Sequence, residues 1–175
     1  MELLTTPPCD PFFAGEHPVV VMELAGTDDK IRIELDPNAA PITVAYFLSL
    51  VKDGFYDGLK FHRVVPGFLL QGGDPTGTGD GETEFYIKGE FAENGIDNPI
   101  LHTAGAISMA RQEGCDSASC QFFIMVEEVP SMDGHYAAFG HVIEGLDVIE
   151  DASFAEIDEH EAPLKPIIME RLYIE

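Results

Sequence analysis

Phe61-His62-Arg63-Val64-Val65-Pro66-Gly67-Phe68-Leu69-Leu70-Gln71-Gly72-Gly73-Asp74-Pro75 sets two short runs of aromatic and β-branched residues on either side of Pro66-Gly67 and closes on a glycine turn. The composition of these runs marks strands, and Pro-Gly between them marks a turn. A single arginine stands among apolar side chains near the start. Downstream, Gly105-Ala106-Ile107-Ser108-Met109-Ala110-Arg111 and, after a short loop, Gln121-Phe122-Phe123-Ile124 repeat the same kind of strand.

Outward from this core the pattern continues. Val19-Val20-Val21-Met22 is β-rich, Ile31-Arg32-Ile33-Glu34-Leu35 alternates apolar and charged residues, and Gly26-Thr27-Asp28-Asp29 reads as the loop between them. Further strands are predicted over 59–65, 67–71, 104–110, 121–126, 137–142 and 166–174, which makes eight in all. Pro41 suits a first helical turn, and Val44, Phe47, Leu48 and Val51 follow at helical spacing up to Gly54. A shorter helix is predicted from Gly145 to about Ala152. Many short strands with two helices suggest a mainly-β, closed antiparallel barrel, since closure removes exposed edges.

The chain has 175 residues, enough for one domain, and its 45% apolar content argues for a folded globule despite a net charge of −23. Only nine lysines and arginines oppose 32 acidic residues, so nucleic acid and anionic membrane surfaces are excluded as partners. The uneven acidity, with no Lys or Arg between Arg111 and Lys165, reads as a solubilising surface or as a field that favours basic substrates. No stretch resembles a signal peptide or membrane span, and three cysteines make no disulfide framework, so the cytoplasm is the expected location. The run Gly72 to Gly81 lacks the Gly-Lys-Ser/Thr ending of a phosphate loop. Asp74, Asp80 and Glu82 do not have calcium-loop spacing, and the histidines show no metal spacing, so no metal or cofactor is expected. Cys115 and Cys120 read as inert thiols, although the four residues between them would permit an oxidised pair that perturbs the adjoining loop.

Together the two long motifs resemble the signature of the cyclophilin family of peptidyl-prolyl isomerases, over roughly Pro18 to Ile174. That resemblance implies residues 1–16 as an N-terminal extension and 17–175 as the isomerase domain. It implies an eight-stranded antiparallel barrel with a helix over each end and the active site on the outer face. Arg63 matches the catalytic arginine. Gln71 and Gln121 match positions that hydrogen-bond the substrate or hold Arg63, and His62 adjoins the site without serving as a general base. Phe68, Leu69, Phe123, Met132 and Tyr136 match the slot for the substrate proline, while Met109, Ala110 and Arg111 match the segment whose backbone pairs with the peptide. Read without the family, Arg63 could be an ordinary surface arginine, and Phe and Met in strands are commonly core. Strand alternation would send Phe122 inward and Phe123 to the groove.

The resemblance implies isomerisation of X-Pro bonds in flexible protein segments, by a monomer assisting folding; the rival reading is a module that captures proline-containing segments with incidental turnover. Ser131 stands where many eukaryotic members carry a tryptophan, and Tyr136 where they carry a histidine. The first departure predicts weak cyclosporin binding, and both look more like a bacterial member.

Overall fold

The computed structural model describes residues 1–175. Eight strands form one antiparallel sheet in the order β10-β2-β3-β9-β7-β8-β5-β4. These are β2 (Val19–Leu24), β3 (Lys30–Leu35), β4 (Arg63–Val65), β5 (Leu69–Gly72), β7 (Ala106–Met109), β8 (Phe122–Met125), β9 (Ala138–Glu144) and β10 (Met169–Ile174). All eight predicted strands lie in this sheet, and the predicted helices are α1 (Pro41–Lys52) and α2 (Leu146–Ser153). Two further strands, β1 (Glu2–Leu4) and β6 (Phe85–Ile87), pair in parallel and were not anticipated. Through β1 the first residues are tied to β6, and the Cys9 thiol donates to the Ala45 carbonyl on α1. No helix is long and apolar enough to cross a membrane.

The sheet curls but does not close, which corrects the closed barrel expected from the sequence. Its end strands β10 and β4 share no ladder. The seam is spanned by Gly58 N–H to Met169 O, Met169 N–H to Leu59 O and Phe61 N–H to Ile167 O, with one bridge between Lys60 and Ile168. The physical reason lies on the β10 side. There the segment facing β4 contains Pro163 and Pro166, which have no N–H to offer, and it runs as a loop instead of a strand.

Alternation gives the sheet two apolar faces. Ile31, Ile33 and Leu35 of β3 point inward and are fully buried, while Arg32 between them points out to Glu144 and Glu175. The interior is packed solid with Phe47, Tyr56, Phe61, Phe122 and Phe139 among others. A separate small cluster of Leu69, Ala106, Phe123 and Met125 lies on the opposite face. Helix α1 covers one opening of the curl. Its first turn carries no acidic residue of its own; instead the buried Glu90 carboxylate accepts Ile42 N–H, Thr43 N–H and the Thr43 hydroxyl at 2.9, 2.8 and 2.6 Å. A carboxylate supplied from afar thus satisfies the free N–H groups that every helix start leaves.

All three cysteines are free thiols. Cys120 lies in the core, where burial, and then the charge of Asp74, push its pKa to about 12. It is therefore a poor nucleophile.

Candidate active site

Arg63 opens β4 and pairs across the ladder with Gln71 of β5, which in turn lies opposite Phe123 of β8. Three adjacent strands therefore bring the two glutamines and the arginine together. The Arg63 Nη1–H donates to Gln71 Oε1 at 3.4 Å, Gln71 Nε2–H donates to Gln121 Oε1 at 3.0 Å, and Gln121 Nε2–H donates to the Gly79 and Gly81 carbonyls at 2.9 and 3.0 Å. On its other edge the guanidinium faces Glu161, whose Oε2 lies 3.3 Å from Nε. Its side chain remains 42% exposed, so it is anchored yet open to a ligand.

Beside this chain lies the outer apolar cluster. Leu69 and Phe123 form its buried floor, and Phe68, Ala110, Met132 and Tyr136 its half-buried margin. The Phe123 ring is flanked edge-on by Tyr136 at 5.6 Å and stacked by His102 at 6.0 Å. His102 is itself fixed from both sides: Nδ1 lies 2.9 Å from Asp133 Oδ1, and Nε2 lies 2.9 Å from Ser108 Oγ. Burial lowers its pKa, which favours the neutral ring. With Nδ1–H given to the carboxylate, Nε2 accepts the Ser108 hydroxyl. Ser108 is fully buried, so this Asp-His-Ser chain supports the slot and has no access to a substrate.

The side chains of Met109 and Arg111 lie outside the apolar slot. Met109 lies in the interior cluster, because Ser108 takes the outward position on β7, so only its backbone could face a peptide. Arg111 lines a cavity beside Gln121, and its guanidinium packs against aromatic rings. It sits 5.0 Å from the Phe91 ring and 5.1 Å from the Tyr136 ring, and donates to the His135, Gln112 and Glu113 carbonyls. Its side chain is a clamp on Tyr136. The Ala110 N–H donates to Gln121 O, extending the pairing of β7 with β8. His62 is nearly buried, its Nδ1 has no hydrogen-bond partner, and burial lowers its pKa; it makes no hydrogen bond to Arg63.

A cavity of about 390 Å³ adjoins the glutamines, lined by Gln71, Gly79, Glu82, Ser119 and Gln121 among others. Its wall is the loop after β5, wound around Asp74. Burial alone would raise the Asp74 pKa, but the Thr76 hydroxyl and the backbone N–H groups of Thr76, Gly79 and Gly81 outweigh it and bring the group to about 2. These oxygens are taken up by their own loop.

The family model for "Cyclophilin type peptidyl-prolyl cis-trans isomerase/CLD" matches residues 19–174. The chain belongs to the cyclophilin-type peptidyl-prolyl cis-trans isomerases. It is 42% identical over 147 residues to peptidyl-prolyl cis-trans isomerase ppi1 of Schizosaccharomyces pombe, covering 83% of this chain and 93% of that one. It is 47% identical over 129 residues to peptidyl-prolyl cis-trans isomerase B of Bacillus subtilis, covering 74% and 87%. Among solved structures, a Cryptosporidium parvum cyclophilin-type isomerase superposes with a TM-score of 0.83 at 27% identity over 91% of this chain and 98% of that one. The same parasite enzyme, solved in the presence of the dipeptide Ala-Pro, gives a TM-score of 0.81 at 28% identity, covering 90% and 98%. The chain is accordingly a peptidyl-prolyl isomerase, and the capture-module reading is not favoured.

The residues that sequence reading missed around this cyclophilin site are His102, Ser108, Asp133 and Glu161. Asp133 and Glu161 reach the site from elements far along the chain, and no local pattern announces either.

Proposed function

We propose that this cyclophilin-type isomerase works through Arg63, on X-Pro bonds of flexible or unfolded protein segments whose proline ring enters the slot floored by Leu69 and Phe123. The barrier to be lowered is ~18–20 kcal/mol and comes from delocalisation of the amide nitrogen lone pair. In the twisted state that nitrogen becomes pyramidal and can accept a hydrogen bond that the planar amide cannot. A donor aimed at it therefore favours the transition state over the ground state, which is the condition for acceleration. No bond is made or broken, and no proton need move.

The observation that carries this reading is the Arg63–Gln71–Gln121 hydrogen-bond chain, which holds a half-exposed guanidinium beside an apolar slot. Capture alone would need the slot but not the arginine. On the same reading the cavity beside Gln121 receives residues preceding the proline, the protein assists folding as a monomer, and its free thiols suit the cytoplasm. The test is Arg63→Ala in a protease-coupled or NMR exchange assay on a short X-Pro peptide. We expect kcat/KM to fall by about two to three powers of ten, roughly 3–4 kcal/mol of transition-state stabilisation, with peptide affinity little changed. Turnover equal to the parent's would refute the role given to Arg63.

A further inference from the structure

Glu161 is the only residue other than glycine with a left-handed backbone, at φ 63°. That conformation is unfavourable for any side chain with a Cβ and persists where the surroundings over-determine it. Here the surroundings are a small loop stitched around Asp158. The Asp158 carboxylate accepts His160 N–H at 2.8 Å and Ala162 N–H at 3.0 Å, Asp158 N–H donates to Ala162 O at 2.9 Å, and Ile157 bridges to Pro163.

The loop aims both polar ends of Glu161 at β4. Its carbonyl accepts Val64 N–H at 2.8 Å, beside the arginine, and its carboxylate Oε2 lies 3.3 Å from Arg63 Nε. Oε2 is itself shielded from water and has no hydrogen-bond partner, so it meets Arg63 as an ion pair alone. The guanidinium is thus met on two sides, Nε by the Glu161 charge and Nη1 by the Gln71 hydrogen bond, and Nη2 makes no hydrogen bond within the chain.

Stability does not account for this arrangement. Both side chains are about two-fifths exposed, at 42% and 41%, and exposed ion pairs of this kind contribute little. A single hydrogen bond of 3.4 Å to Gln71 would leave the long arginine side chain free to swing about it. We propose that Glu161 is a positioning residue for Arg63: it fixes the guanidinium plane so that the free Nη2 edge points at the twisting amide nitrogen. The inference rests on the role given to Arg63. Orientation of this sort is worth much in catalysis, since misplacing a reacting group by 1 Å can lower a rate about 100-fold.

The test uses Glu161→Gly, Glu161→Gln, Arg63→Ala and the double variant Arg63→Ala/Glu161→Gly. Glycine removes the carboxylate while suiting the left-handed backbone, so activity and stability should move apart. We expect kcat of Glu161→Gly to fall about tenfold, with KM within about twofold of the parent and Tm no lower. Glu161→Gln, which keeps an acceptor, should recover part of the loss, and Glu161→Gly should change nothing further once Arg63 is alanine. In the folded protein the Arg63 Nε–Hε resonance should shift in Glu161→Gly. If Arg63→Ala collapses activity while Glu161→Gly keeps the parent's kcat or leaves that resonance unmoved, the positioning role is overturned and the role of Arg63 stands. If Arg63→Ala retains full activity, both fall. An equal loss from Glu161→Gly with and without Arg63 also overturns the proposal.

Discussion

Phe122 and Phe123 are consecutive residues of β8 that face different worlds, and truncating each to alanine should separate stability from catalysis. Phe122 is fully buried in the interior, with rings edge-on to it at 5.5 Å (Phe47), 5.4 Å (Tyr56) and 6.2 Å (Phe61). Its loss should lower stability by ~3–5 kcal/mol through lost transfer energy and an unfilled cavity. For a domain of this size that is a fall in Tm of about 10 °C. Phe123 is only 3% exposed, so its truncation also destabilises, a point that facing direction alone does not reveal. The groove side can partly collapse, which puts its effect near ~2–3 kcal/mol. What distinguishes it is the slot. If without the phenyl the proline ring fails to bury about 70 Å² of its own apolar surface, at ~25 cal/mol per Å² the loss is ~1.8 kcal/mol, or roughly 20-fold in kcat/KM. Exchange kinetics on an X-Pro peptide at 10 °C, below both melting transitions, should show that drop for Phe123→Ala and less than about a twofold change for Phe122→Ala. A folded Phe122→Ala protein that loses tenfold, beside a Phe123→Ala protein that loses nothing, would refute the assignment of faces.

Because the fold holds Asp74 at about 2, below the ordinary ~3.9, its ionised form contributes about 2 kcal/mol of stability that is present above pH ~4 and is lost as pH falls towards 2. Asp74→Asn should flatten that part of the acid-unfolding curve, and an unchanged curve would contradict the loop assignment. A thiol reagent should label Cys9 and Cys115 in the native protein but Cys120 only on unfolding, and mild oxidation should leave turnover intact; rapid native labelling of Cys120 would show the core to be open there. Ser131 lies exposed in the 3-10 turn Pro130–Met132 and offers no indole donor, so cyclosporin should inhibit poorly and Ser131→Trp should tighten it. Nanomolar inhibition of the unmodified protein in a titration would sink that expectation.

Much of the architecture was legible because it is written in short-range pattern. The alternation in β3 is enforced by burial on one face, and the helical spacing of Val44, Phe47, Leu48 and Val51 falls in α1, which is buried all round from Ile42 to Leu48. Edges are another matter. Whether β10 and β4 join depends on backbone donors that Pro163 and Pro166 lack, and a pattern of apolar residues carries no record of who pairs with whom. β1 and β6 are three residues each, too short for any period to emerge. In the site, Arg63, Gln71 and Phe123 stand in long contiguous motifs that the sequence displays directly. The Arg111 side chain packs on Phe91 and Tyr136, contacts that no local pattern records, and Glu161 went unseen because its loop meets β4 only once the last strand is in place.

That last point bears on synthesis. β2, the first strand of the large sheet in sequence, lies between β3 and β10, with Met22 opposite Leu172. As the chain emerges from the ribosome, Val19-Val20-Val21-Met22 must wait for the segment 169–174 with one edge unpaired, and the seam at Phe61 waits for Ile167. Such long-range pairing is slow, and an apolar edge left open is a template for association with other nascent chains. The net charge of −23 then acts on the half-made molecule as well as the finished one, holding like-charged chains apart until the final strand arrives.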